Sequence, residues 1–217
     1  MNNVFNPESN EKLNNRELLQ NKFDLSFANS DFDSLKNHYK SLRSFEFSAP
    51  LDFPFETVSI SSLAENLSLA CDVICGDSCT SYIYCGNETS HVKANSKPIT
   101  KAILNLFSNA FLYGKGELIT VKTIEKRNYV AVEVQNSGCL KNNFEFGDGL
   151  KYVNNVCKAL NGHFFITTDL LSVKSVMLIP KSRNFKNVVK TPDFCEFLND
   201  RLSPVYVEMF GAEYRNI

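Results

Sequence analysis

No block of like charge, no long apolar run and no internal repeat stands out in this 217-residue chain. Lysine and arginine total 23 against 24 acidic residues, a net charge near −1. That balance lacks the basic excess that nucleic acid or an anionic membrane surface selects. Apolar runs fall far short of the roughly 20 residues a membrane span needs. The opening MNNVFNPESNEKLNN is polar and lacks the apolar stretch of a secretory signal, so a cytoplasmic protein with no membrane span is expected. No paired C-x-x-C zinc signature occurs either. The seven cysteines are odd in number and scattered through apparent helices and strands. They read as core or surface thiols in a reducing compartment.

What is present is an ordinary globular composition, 43% apolar and 22% charged. The length suits one domain of about 130–150 residues with flanking elements. Residues 1–47 read as a helical hairpin, a candidate dimerisation segment, because neither helix has a rich apolar face of its own. SAPLDFPF places two prolines in a short span, making 48–57 a linker. Residues 58–182 read as the main domain and 183–217 as a C-terminal extension with a short helix around Phe194 to Leu202.

Within the main domain, Ser61 to Cys75 has helical spacing, with Leu63, Leu67, Ala70, Cys71 and Ile74 on one side. Thr80 to Cys85 and His91 to Ala94 read as short strands. Leu118 to Ile124 and Tyr129 to Gln135 alternate as a hairpin, and His163 to Thr168 and Val173 to Ile179 close the domain as strands. An amphipathic helix with Leu150, Val153, Cys157 and Leu160 on one side stands between the two strand pairs. The order predicts an α/β fold, a two-layer α+β sandwich with helices on one face of a mixed sheet.

The helix from Pro98 to Gly114 is the most informative stretch. Ile99, Ala102, Ile103, Leu106, Phe107, Ala110 and Phe111 recur at three- and four-residue steps, a continuous buried face. Lys101, Asn105, Asn109 and Tyr113 fall four apart as a polar stripe. Asparagine is a poor helix former, so two of them one turn apart ask for a reason. Taken alone the stripe reads as a solvated helix edge.

Three blocks change that reading. NLFSNAFLYG lies on this helix, VEVQNSG ends a strand, and GDGLKYVNNVCKALNGHFFI is a glycine turn opening a helix that leads into a strand. In order and spacing they resemble the N, G1 and G2 boxes of the ATP-binding domain of sensor histidine kinases. That domain has the GHKL-type, or Bergerat, fold also found in gyrase. The resemblance spans roughly Val58 to Pro180. It implies Mg-ATP as cofactor, with Asn109 as the metal ligand. Asn105 and Tyr113 would border the same pocket. Gly147, Gly149 and Leu150 would open the phosphate-binding helix, and Asn136 and Gly138 would stand on the adenine side.

The G1 block departs from the family's D-x-G-x-G, reading Asn136-Ser137-Gly138-Cys139-Leu140. Replacing the carboxylate removes a charge-assisted bond to the adenine amino group, about 1–2 kcal/mol. An asparagine amide can still accept from that group and donate to a ring nitrogen. The family also places a reactive histidine on the first helix of the hairpin, where this chain has none. His38, on the second helix, is the remaining phosphoacceptor candidate, since a neutral imidazole is a competent acceptor.

The resemblance therefore implies a cytoplasmic histidine-kinase-like protein that transfers a phosphoryl group from Mg-ATP in signal transduction. Its partner would be a response regulator or another phosphoacceptor protein, with homodimerisation through the hairpin. Two alternatives stand beside this. One is a degenerate, non-catalytic scaffold or phosphotransfer adaptor, and the other an anti-sigma-type serine kinase using the same pocket.

Overall fold

The computed structural model describes residues 55–76, 80–86, 89–114, 118–139, 145–183 and 187–213, together with Asn37. The chain divides into two compact units, 1–48 and 49–217, and every element named below belongs to the second. The expected hairpin over 1–47, His38 included, lies outside the described residues.

Two sheets are arranged with the helices Ile60–Cys75 (α1) and Ser96–Tyr113 (α2). Ser59 caps α1, its hydroxyl accepting from the Ser62 N–H, and Ile60, Leu63, Leu67 and Cys71 go into the core. Asn95 caps α2 by accepting from the Lys97 N–H at 3.0 Å. This starts the helix two residues ahead of Pro98, which the first turn tolerates because its missing N–H would be unpaired there anyway. At the other end the Gly114 N–H closes on the Ala110 carbonyl at 2.9 Å.

The larger sheet has five strands in the order β2-β4-β5-β7-β6. These are Ser81–Tyr84 (β2), Leu118–Glu125 (β4), Tyr129–Ser137 (β5), His163–Thr168 (β6) and Ser172–Pro180 (β7). β2 runs parallel to β4 and the remaining pairs are antiparallel, so the sheet is mixed as expected. Its register sets Val121 opposite Val134 and Val132 opposite Met177, all buried beneath the helices. The opposite face carries Lys122, Glu133 and Lys174, with Lys174 Nζ 3.6 Å from Glu133. This alternation is what a sheet covered on one face requires. Asp148–Ala159 (α3) completes the helical layer.

Two expectations need correction. His91–Ala94 (β3) does not join the larger sheet. It pairs with Glu56–Ser59 (β1), and Val188–Val189 (β8) adds to the other side of β1, giving a separate sheet in the order β3-β1-β8. Glu56 and Thr57, read as linker, are thus strand. The small sheet is tied to the large one where Lys181 bridges Val92 and the Ser182 N–H donates to the His91 carbonyl. Lys181 also pairs with Glu125, which accepts from Ser90 as well, and these donors hold the Glu125 carboxyl below its ordinary range.

The C-terminal extension contains the expected short helix, Phe194–Asn199 (α4), and a further one, Pro204–Glu213 (α5). Asn66 of α1 donates to the Pro192 carbonyl at 3.0 Å, and Phe197 is buried against the core. α5 packs on α2, with Val205, Val207 and Met209 fully buried. The extension is part of the fold.

Burial also sorts the thiols. Cys71, Cys75 and Cys157 are buried, while Cys85, Cys139 and Cys195 are exposed. Desolvation pushes the Cys157 thiol up to about 12 and raises that of Cys71, so neither is a thiolate nucleophile at neutral pH.

Candidate functional site

The first half of the polar stripe of α2 is not a wet edge. Lys101 and Asn105 are buried, at 6% and 0% exposure, and face α3, while Asn109 is half-buried and Tyr113 exposed. The Lys101 ammonium lies over the Tyr152 ring of α3, 5.5 Å from its centroid. One turn on, the Asn105 side chain donates from Nδ2 to the Lys101 carbonyl at 3.0 Å. The next turn repeats the pattern, with Asn109 Nδ2 donating to the Asn105 carbonyl at 2.6 Å. Each asparagine thus ties its amide nitrogen back to the helix and leaves its Oδ1 as the acceptor end. Asn105 Oδ1 is buried with no hydrogen-bond donor among the described residues.

Opposite this end stands the start of α3. Gly147 occupies the N-cap position with no side-chain bond, so the first N–H groups of the helix have no side-chain cap. Gly149 comes so close to α2 that a Cβ there would lie 2.8 Å from Asn105 Oδ1 and 3.6 Å from Asn109 Nδ2. A Cβ on Gly147 would meet no described atom within 4 Å, so packing does not demand that glycine. Leu150 is buried beside them. Asp148, the first helical residue, is exposed and lies 3.7 Å from Lys151, which is also exposed, a pair worth little in water.

The other end of the stripe meets the end of β5. Asn136 is buried at 8% exposure, and its Nδ2 donates to the Ser137 carbonyl at 2.8 Å, leaving Oδ1 as acceptor. A Cβ on Gly114 would lie 3.4 Å from Asn136 Cβ, so the helix terminus sits directly against this residue. Gly138 adopts φ +130°, a backbone that a side chain would strain, and its missing Cβ would be 3.3 Å from the Tyr113 carbonyl. Its N–H donates to Leu171 at 2.9 Å, in the β6–β7 turn. Asp169 organises that turn by accepting from the Leu171 and Ser172 N–H groups, which lowers its own carboxyl pKa. The Tyr113 ring is largely exposed.

Asn105, Asn109, Gly147, Gly149 and Leu150 therefore converge at one end of a seam, and Tyr113, Asn136 and Gly138 at the other. Asn109 and Tyr113 are one helical turn, about 5–6 Å, apart. His38 lies outside the described residues. Ser108, whose hydroxyl donates to the buried Glu208 of α5 at 2.7 Å, is the neighbour that sequence reasoning missed. Its only signal was a polar residue beside Asn109 on the apolar side of the helix.

Gly149 offers a direct check of the seam. In an open helix, Gly→Ala gains about 0.8–1 kcal/mol. Gly149→Ala is expected instead to lose about 1–2 kcal/mol, because the new methyl must displace the buried Asn105 amide. Urea denaturation measures the sign, with Gly147→Ala as the control that shows the smaller change.

No protein-family model matches the chain, and no curated protein matches it. Solved structures do. The catalytic domain of histidine kinase ThkA matches with a TM-score of 0.53 at 20% identity, over 59% of this chain and 98% of that one. The Acinetobacter baumannii histidine kinase AdeS matches with 0.56 at 15% identity, over 77% and 95%. Full-length ShkA, solved in complex with AMPPNP, matches with 0.59 at 14% identity, over 69% of this chain and 38% of that one. The chain has the fold of the ATP-binding catalytic domain of histidine kinases, the GHKL type. At these identities the likeness carries architecture, and the chemistry rests on the residues.

Proposed function

We propose that this protein is a histidine-kinase-like signalling protein whose domain over 58–182 binds Mg-ATP for phosphoryl transfer. The close approach of Gly149 to Asn105 and Asn109 carries the reading, because it sets a helix N-terminus against the Asn105 amide oxygen and the Asn109 amide. The residues fit the group. Magnesium takes hard oxygen ligands and keeps most of its waters. Asn109 Oδ1 would be the protein ligand, and the buried acceptor at Asn105 Oδ1 suits a proton-bearing neighbour such as a metal-bound water. The N–H groups at the start of α3, opened by Gly147 and Gly149, would hold phosphate oxygens with the positive end of the helix. Asn136 Oδ1 would accept from the adenine amino group, with Tyr113 and Gly138 bordering the base and sugar, and Leu150 would stand with the glycines on the phosphate side. ATP supplies the γ-phosphoryl group, and the metal neutralises charge on it.

His38 is the proposed acceptor in cis, and a response regulator or another phosphoacceptor protein the proposed partner. ThkA itself has been solved in complex with the response regulator protein TrrA. Among the described residues no helix is long and apolar enough to cross a membrane. A cytoplasmic homodimer formed through residues 1–47 belongs to the same proposal. One observation favours the second reading, a non-catalytic scaffold: Asn136 offers the adenine pocket an amide in place of a carboxylate and spends its Nδ2 on Ser137.

Incubation with γ-labelled ATP, followed by acid and alkali treatment, separates these readings. Acid-labile label that disappears in His38→Ala supports the kinase reading. Acid-stable label indicates a serine kinase instead, and absence of label despite nucleotide binding indicates the scaffold.

A further inference from the structure

Besides packing on α2, the C-terminal extension presents a buried carboxylate to that helix. Glu208 of α5 is 2% exposed and accepts from Ser108 Oγ at 2.7 Å. Ser108 is fully buried on α2, between Asn105 and Asn109 in the helical turn that carries both amides. Its Oγ also lies 3.3 Å from the Asn105 carbonyl, the same oxygen that accepts from Asn109 Nδ2 at 2.6 Å.

A serine hydroxyl has one proton to give. The shorter, charge-assisted bond to Glu208 takes it. The Asn105 carbonyl is thereby left to Asn109, and the Asn109 amide is fixed with its nitrogen on that oxygen. Without the carboxylate, the Ser108 proton turns to the Asn105 carbonyl, competes with Asn109 Nδ2 and releases the amide to rotate. We infer that Glu208 is a positioning residue: through Ser108 it orients the Asn109 amide, and so makes metal-dependent nucleotide affinity conditional on the C-terminal extension being docked. The inference rests on the nucleotide reading of the same site.

Removing one member of a buried hydrogen-bonded pair leaves the other unsatisfied, whereas replacing both by apolar groups is close to neutral. The informative variant is therefore Glu208→Met alone, which keeps the Ser108 proton and takes away its acceptor. The double substitution Ser108→Ala with Glu208→Met, which removes the competing proton as well, is the rescue. Glu208→Gln, which keeps an acceptor for Ser108, is the conservative control. Two readouts are taken on the full chain. One is the ratio of ATP dissociation constants in EDTA and in magnesium. The other is hydrogen exchange of the Asn109 side-chain amide, assigned by its loss in Asn109→Ala.

Wild type and Glu208→Gln are expected to show a tenfold or larger magnesium effect and a protected amide. Glu208→Met should lose most of the magnesium effect and exchange the amide at least tenfold faster, while the double variant keeps its cooperative unfolding and returns both readouts toward wild type. A folded Glu208→Met equal to wild type in both readouts, or a folded double variant that loses the magnesium effect and the amide protection, overturns the inference. If wild type binds no Mg-ATP, the nucleotide reading falls and the magnesium role falls with it. The amide exchange then still decides the orientation step: faster exchange in Glu208→Met that the double variant reverses supports it, and equal exchange in all three overturns it.

Discussion

Asn109→Ala is expected to weaken Mg-ATP binding at least tenfold while leaving the fold intact. The size of the effect follows from its place as the one protein oxygen proposed to touch the metal. Disturbing even the outer partners of a metal site costs about 10–100-fold in affinity, and the ligand itself should cost no less. The fold should tolerate the change. Asn109 is half-buried, and its side chain makes one bond, back to its own helix at the Asn105 carbonyl. Losing that bond costs about 1 kcal/mol. Alanine returns roughly 0.6 kcal/mol, being the better helix former. Calorimetric titration and a thermal melt of the same sample give both numbers. An unchanged dissociation constant would remove Asn109 from the site.

Phe107→Ala should be the most destabilising single change in the helical layer, at about 3–5 kcal/mol. Phe107 is fully buried on the sheet-facing side of α2. Its ring packs 5.4 Å from that of Tyr82 on β2, tilted by 37°. The Tyr82 hydroxyl in turn donates to the Phe107 carbonyl at 3.2 Å. Burial pushes the Tyr82 phenol well above its ordinary range, so this hydroxyl stays protonated and keeps donating through mildly alkaline pH. The substitution therefore opens a cavity at the point where the helix is clamped to the edge strand. For a chain of this size the melting temperature should fall by roughly 10 °C. A loss under about 1 kcal/mol would mean that α2 does not seat on the sheet through this residue.

The elements that place the site were legible because their patterns are strong. Helical spacing marked the buried face of α2. Alternation marked β4 and β5, whose Val130, Val132 and Val134 share the covered face. His91–Ala94 was bounded correctly as a strand, but its partner was not foreseeable. β1 holds four residues directly after a proline-rich span, and β8 only two. Segments that short carry no periodicity of their own.

α5 was hidden for a different reason. Its P-V-Y-V-E-M-F run is rich in β-branched and aromatic residues and has no single apolar stripe. It becomes helix because α1 and α2 bury it on more than one side. In the site, residue identity gave the three blocks, while the direction of the polar stripe could not be read from spacing. Four-residue steps describe a line along a helix equally well whether water or another helix covers it. The approach of Gly149 and the Tyr152 ring beside Lys101 show that α3 does. The Ser108–Glu208 pair joins residues a hundred positions apart and left no local trace.

The central claim is that the seam between α2, α3 and β5 holds Mg-ATP, and a melting curve of the wild-type chain with and without saturating Mg-ATP tests it most directly. At 100 times its dissociation constant a ligand adds about 2.7 kcal/mol to the folded state. For this chain length that raises the melting temperature by roughly 5–10 °C, and EDTA should remove most of the rise. A melting temperature that stays put with Mg-ATP at millimolar concentration would contradict the claim and leave the chain a histidine-kinase fold without its nucleotide.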